Sequence, residues 1–145
     1  PGAAKKVGIA SSYAFGATKI KGGYRWGSGK SHDDVVLLRD DYFWAGINHK
    51  LNSKIEVSLG LYYENVKELR VRSTAPLTKL PDIWQVSFNA VYSLSKRTDL
   101  YLTTAYSKNA GLNMDTSANG YAGGFFVAKG HSSQLGTAIG IRHRF

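Results

Sequence analysis

The 145-residue sequence contains no cysteine and a single methionine. Without cysteine there is neither a disulfide framework nor a thiolate zinc site. No run of about 18 or more consecutive apolar residues occurs, which excludes a transmembrane helix. A signal peptide is missing too, and the chain opens on Pro1 rather than Met, so a processed chain or a fragment is expected. His32, His49, His131 and His143 lack ligand spacing, and no set of serine, histidine and acid is suggested by shared strand ends. No metal site, hydrolytic centre or cofactor is therefore expected. The stretch GYRWGSGK (23–30) has the glycines and lysine of a phosphate loop but not the GxxxxGK[ST] spacing, and reads as a strand running into a loop.

What the chain does have is 16 glycines, nine tyrosines, three tryptophans and a formal net charge of +9. Tyrosine and tryptophan favour strands, and glycine suits turns and crowded sheet surfaces. The charge suits a nucleic acid, an anionic membrane or anionic solutes, and placement has to decide among them.

Placement is periodic. Val7, Ile9, Ser11, Tyr13 and Phe15 alternate with small residues. After a tight turn at Gly16-Ala17, Ile20, Tyr24 and Trp26 alternate with Lys19, Lys21 and Arg25. A third, less regular run covers Phe43 to Leu51, with Tyr42 and Trp44 on the unexpected face. After Asn52-Ser53, Ile55 to Tyr63 alternates with Glu56, Ser58, Gly60, Tyr62 and Glu64. The fifth run carries Trp84, Val86, Phe88, Ala90 and Tyr92 on one face. The sixth carries Leu100, Leu102, Thr104 and Tyr106. The seventh, from Gln134, ends in IGIRHRF, with Ile139, Ile141, His143 and Phe145 on one face and Arg142 and Arg144 on the other. Runs of about 9–12 residues exceed the ordinary soluble strand and suit a tilted strand crossing a bilayer.

The connections alternate as well. Short ones fall near Gly16, Asn52 and Lys96, and long ones are expected at 27–40, 68–81 and 109–132. That is the layout of an outer-membrane barrel, with turns in the periplasm and loops outside. Aromatic residues at the ends of the apolar faces (Phe15, Tyr24, Trp26, Tyr63, Trp84, Tyr92 and Tyr106) are expected to form girdles at headgroup level. A soluble β sandwich would bury the same residues in a core, but its turns would not alternate so regularly in length. Seven strands start and finish on opposite sides of the membrane, whereas a complete bacterial barrel has an even number. The fold class expected is therefore a transmembrane antiparallel β-barrel in which residues 1–145 are the C-terminal portion of a single domain, closed by further strands.

Lys19, Lys21, Arg25, Arg142 and Arg144 fall opposite the lipid face, as do Glu56, Glu64 and Asp99. If that face lines water, the cations concentrate anions, and the acids temper the field by pairing across the wall. Asp33-Asp34 and Asp40-Asp41 are expected in an external loop. They could hold a divalent cation or bridge lipopolysaccharide, but a plain solvated loop is the expected reading. A barrel enzyme would need convergent groups at the outer rim, and His32, Asp33 and Asp34 come with no nucleophile arrangement. A soluble nucleic-acid-binding protein is disfavoured by the apolar bands.

YSLSKRTDLY (92–101), YAGG (121–124) and GIRHRF (140–145) resemble the C-terminal region of the trimeric general-diffusion porins of Gram-negative outer membranes, of the beta-proteobacterial branch. The resemblance is strongest over residues 84–145 and extends back to residue 3. It implies a 16-stranded barrel of which these are the last strands. The constriction loop would lie in an N-terminal part outside this chain. It also implies a homotrimer embedded in lipid and lipopolysaccharide, passing small ions and solutes and needing no cofactor. The face Ile139, Ile141, His143 and Phe145 resembles the signal read by the barrel-assembly machinery.

Overall fold

A computed structural model describes residues 2–70, 72–112 and 130–145. It contains seven strands: β1 (Ala3–Phe15), β2 (Thr18–Lys30), β3 (Val36–Lys50), β4 (Ile55–Leu69), β5 (Ile83–Ser93), β6 (Thr98–Lys108) and β7 (Ser133–His143). They form one sheet in sequence order, each antiparallel to the next. Among the described residues no helix is long and apolar enough to cross a membrane. The shortest strands have 11 residues. At about 3.4 Å per residue and a tilt near 45°, these cover about 26 Å of bilayer depth, close to the ~25 Å apolar band of such barrels.

Turn chemistry explains the short connections. Gly16 has a φ of 54°, in the left-handed region where a side chain is strained. The Asn52 side chain accepts from the backbone N–H of Lys54 at 2.8 Å and of Ile55 at 3.0 Å, and Ser95 Oγ accepts from Arg97 N–H at 3.2 Å.

The register sorts every strand into two faces. One cross-strand row reads Tyr24, Phe43, Tyr63 and Trp84. The next two read Gly22, Ala45, Leu61, Val86, Tyr106, Leu135 and Ile20, Ile47, Leu59, Phe88, Thr104, Thr137. This apolar face is not buried by the chain itself: Ile9 and Ile139 are 74% and 80% exposed. The small buried core instead comprises Val66, Leu69, Ile83 and Ala110, flanked by Leu38 and Leu80, at the loop end of β4 and β5. There the β4–β5 connection folds back, with Thr78 N–H donating to the Leu69 carbonyl at 2.8 Å and the Arg70 guanidinium to the Ala75 carbonyl at 2.9 Å.

The connection expected at 27–40 is shorter in the structure. β2 and β3 run on as strands and leave only 31–35 between them. Asp40 and Asp41, expected in a loop, lie within β3 at 1% and 8% exposure. Bulges at Gly29/Lys30 and Arg39/Asp40 shift the register there, which interrupts the simple alternation. The YAGG segment (121–124) and part of the expected 109–132 connection lie outside the described residues. β1 and β7 are the two edges of the sheet and do not pair with each other.

Leu59 sits midway along the apolar face of β4, and Thr103 on the opposite face of β6. Leu59→Arg is expected to cost about 2–4 kcal/mol of folding free energy in lipid vesicles. Thr103→Arg should stay within about 0.5 kcal/mol. Urea titration of both variants checks this, and equal costs would contradict the assignment of faces.

Candidate functional site

The chemistry of this sheet is concentrated on its polar face. By register the rows across β1 to β4 there are Ala14, Lys19, Asn48, Ser58; then Ser12, Lys21, Gly46, Gly60; then Ala10, Gly23, Trp44, Tyr62; then Gly8, Arg25, Tyr42, Glu64. Lys6 and Lys50 share the face, the first opposite Gly27 and the second opposite Glu56. At the far edge Asp99 of β6 pairs in register with Arg142 of β7.

The cations here are of two kinds. Arg25 is clamped: its guanidinium forms an ion pair with the buried Asp40, lies 3.8 Å from Glu64 Oε1, and stacks 5.0 Å from the centroid of the Tyr42 ring. Gly27 makes room for this, because a Cβ there would collide with the Asp40 carboxylate. Arg142 and Arg144 both donate to Asp99 Oδ2, at 2.9 and 2.8 Å, while Ser93 Oγ donates to Oδ1 at 2.9 Å. The backbone N–H of Arg144 also donates to the Arg97 carbonyl at 2.9 Å, so this cluster fastens the C-terminal segment to the β5–β6 turn. By contrast, Lys6, Lys19 and Lys21 make no ion pair among the described residues.

On the apolar face the aromatic residues fall into two bands. Tyr24 and Phe43 stand 4.9 Å apart between ring centroids, Phe43 and Tyr63 6.2 Å, and Trp84 and Tyr106 5.4 Å. Trp26 lies one row beyond, opposite Val7 and Asp41. Toward the turn end, Phe15 stacks on Tyr13 at 5.9 Å, and Tyr92 aligns with Ile55 and Leu100. The span from Trp84 to Tyr92 is about 27 Å along the strand at ~3.4 Å per residue. Ile139, Ile141 and His143 continue this face in register with Leu102, Leu100 and Thr98. His143 Nδ1 lies 2.9 Å from Thr98 Oγ1, and the Phe145 ring meets the His143 ring edge-on at 4.9 Å.

At the loop end, Lys30 donates to Asp34 Oδ1 at 2.8 Å and holds that carboxyl below the usual carboxylate range. Asp33 pairs with His32 at 2.7 Å. Asp41 accepts from Tyr24 Oη at 2.7 Å and forms an ion pair with Lys67. The two acidic pairs therefore do not converge, and no cluster of three or more potential ligands exists among the described residues.

Sequence reasoning missed Asp40 as the partner of Arg25, because three consecutive charged and acidic residues look like a loop. It also left Trp44 and Tyr62 without a role. Their signal was available in the glycines opposite and beside them, Gly23 and Gly60, which leave space for a ring to lie on the wall.

Removing Arg25 leaves Asp40 buried without its cation. Arg25→Met is expected to destabilise the fold by about 3 kcal/mol, and Arg25→Met with Asp40→Leu to recover part of that loss. Urea titration in detergent micelles measures both; a single variant as stable as the unmodified protein would contradict the clamp.

A family model described as Gram-negative porin matches residues 2–112. No curated protein matches the sequence. Among solved structures the chain is similar to the anion-selective porin from Comamonas acidovorans, with 26% identity and a TM-score of 0.71, covering 97% of this chain and 39% of that one. The chain thus spans well under half the length of that porin.

Proposed function

The chain belongs to the Gram-negative porin family, and on that premise we propose that it forms part of the wall of a water-filled channel through which small hydrophilic solutes diffuse, anions preferentially. Its location is the outer membrane. The observation that carries the anion preference is the set of lysines Lys6, Lys19 and Lys21, which make no ion pair among the described residues, on the face where Arg25 is already paired with Asp40 and Glu64 and where Arg142 and Arg144 share Asp99. The solved porin it resembles is described as anion-selective, which agrees with this reading. The role is that of a channel rather than an enzyme, because flux follows the solute gradient and the wall sets only size and charge.

Residues 1–145 act as the C-terminal portion of one barrel domain. An edge strand left unpaired in lipid strands its N–H and C=O groups, so β1 and the outer side of β7 call for neighbours. Assembly as a homotrimer follows from the family resemblance. The girdles Phe15, Tyr24, Trp26, Tyr63, Trp84, Tyr92 and Tyr106 sit at the two membrane interfaces. Beyond the upper girdle the ion pairs Arg39–Glu68 (3.9 Å) and Lys67–Asp41 lie at the level of lipopolysaccharide headgroups. Ile139, Ile141, His143 and Phe145 are free to meet the assembly machinery, Phe145 being fully exposed.

One unit charge at about 8 Å from a permeating ion in water is worth about 0.5 kcal/mol, or about a two-fold change in local concentration. Lys19→Gln with Lys21→Gln is therefore expected to lower local chloride about four-fold and raise local potassium about four-fold, so that the chloride-over-potassium permeability ratio falls by up to about 16-fold in dilute salt, less as screening grows. The reversal potential of the full-length protein in a KCl gradient measures it. A ratio unmoved by both substitutions would remove the basis for the anion preference.

A further inference from the structure

Three rings lie down on the polar face, and each does so over a glycine. Trp44 is the register partner of Gly23, and a Cβ on Gly23 would stand 2.7 Å from the indole Cε2 and Nε1. Tyr62, the register partner of Trp44, folds back over Gly60, with Cε2 and Oη 3.0 Å from where a Cβ would be. Tyr101 covers Gly140 in the same manner at the other side of the sheet. Trp44, Tyr62 and Tyr101 each remain partly exposed on this face. Trp44 and Tyr62 are register partners, and together they make an aromatic panel on the polar face.

The panel has a cation at its border. Lys21 sits one row away, and its aliphatic stem lies over Gly46, with Cε 3.1 Å and Cγ 3.5 Å from the position of a Cβ there. The stem is thereby laid along the wall, and the ammonium group makes no ion pair among the described residues. Adjacent rows on one face are about 7 Å apart, a distance a flexible lysine spans. On the other border Arg25 is committed to Asp40, Glu64 and Tyr42. Lys21 is therefore the cation open to a ligand on this panel.

We infer that Trp44, Tyr62 and Lys21 form a subsite for small carboxylates that carry an aromatic ring. The ring stacks on the Trp44 and Tyr62 faces, and the carboxylate pairs with Lys21 Nζ. A saturated acid of the same charge meets the lysine and makes apolar contact with the rings but no aromatic stack; a neutral aromatic meets only the rings. The inference rests on reading this face as the channel wall, and it adds a solute class to the general preference for anions.

The test is block of chloride current through the full-length protein in planar bilayers by benzoate and by cyclohexanecarboxylate, which matches it in charge and nearly in size. Benzoate should half-block at a concentration about five-fold or more lower, the scale of one ring stack. Trp44→Leu and Tyr62→Leu should each bring the two acids together, Trp44→Phe should keep them apart, and Lys21→Gln should weaken both. Heat-modified mobility in gels confirms that each variant is folded. Equal block by the two acids, or a benzoate preference that survives both Leu variants, would overturn the subsite. Saturation-transfer NMR of benzoate with the protein in micelles separates the two readings. If no chloride current is seen while transfer persists and is lost in Trp44→Leu, the channel reading fails and the subsite stands.

Discussion

The hydrogen-bond ladder is the constraint on which everything else depends. In lipid no water is available to a bare amide, so each strand must be paired along its length. The seven strands meet this by the simplest route, each antiparallel to the next, with register held over 13 residue pairs between β1 and β2. Once the ladder is set, side chains alternate between two faces with no further freedom. A one-residue slip would put Lys19 and Lys21 into lipid, so the pattern of charge and the pattern of pairing enforce each other.

From this follows an inverted distribution of polarity. Large apolar side chains point away from the chain, and the buried apolar cluster is a small one at the loop end, built on Val66, Leu69 and Ile83. Buried charge is handled by pairing: Asp40 and Asp99 are almost fully enclosed, and each holds arginine. Such pairs are poor sources of net stability but costly to break, so they fix the geometry of the wall. Lys6, Lys19 and Lys21 on the same face make no ion pair among the described residues. One surface thus carries both cations held by acids and cations without an ion pair among the described residues.

Much of this was legible in single residues. Alternation through Ile55 to Tyr63 and Trp84 to Tyr92 identified strands and faces, and Gly16, Asn52 and Ser95 marked turns whose chemistry is local. The expected 27–40 loop was not a loop, because Gly27, Ser28 and Gly29 carry no apolar signal and Arg39, Asp40 and Asp41 look solvated. Their strand conformation is held by partners far away in sequence, Arg25 for Asp40 and Lys67 for Asp41. Trp44 looked misplaced for a related reason. It is polar-face wall packing, and the residue that makes it possible, Gly23, lies in a different strand.

The sequence by itself determined the period, and therefore the sheet, its two faces, its aromatic bands and its short turns, since each depends on residues within a few positions of one another. Only the tertiary structure decided which charges remain free and which rings lie open. Pairing depends on cross-strand register, and register passes through bulges at Gly29/Lys30 and Arg39/Asp40. Lys21 and Arg25 are indistinguishable in a list of alternating cations. They differ because Arg25 faces Asp40 and Glu64, whereas Lys21 faces Gly46 and the aromatic panel beside it.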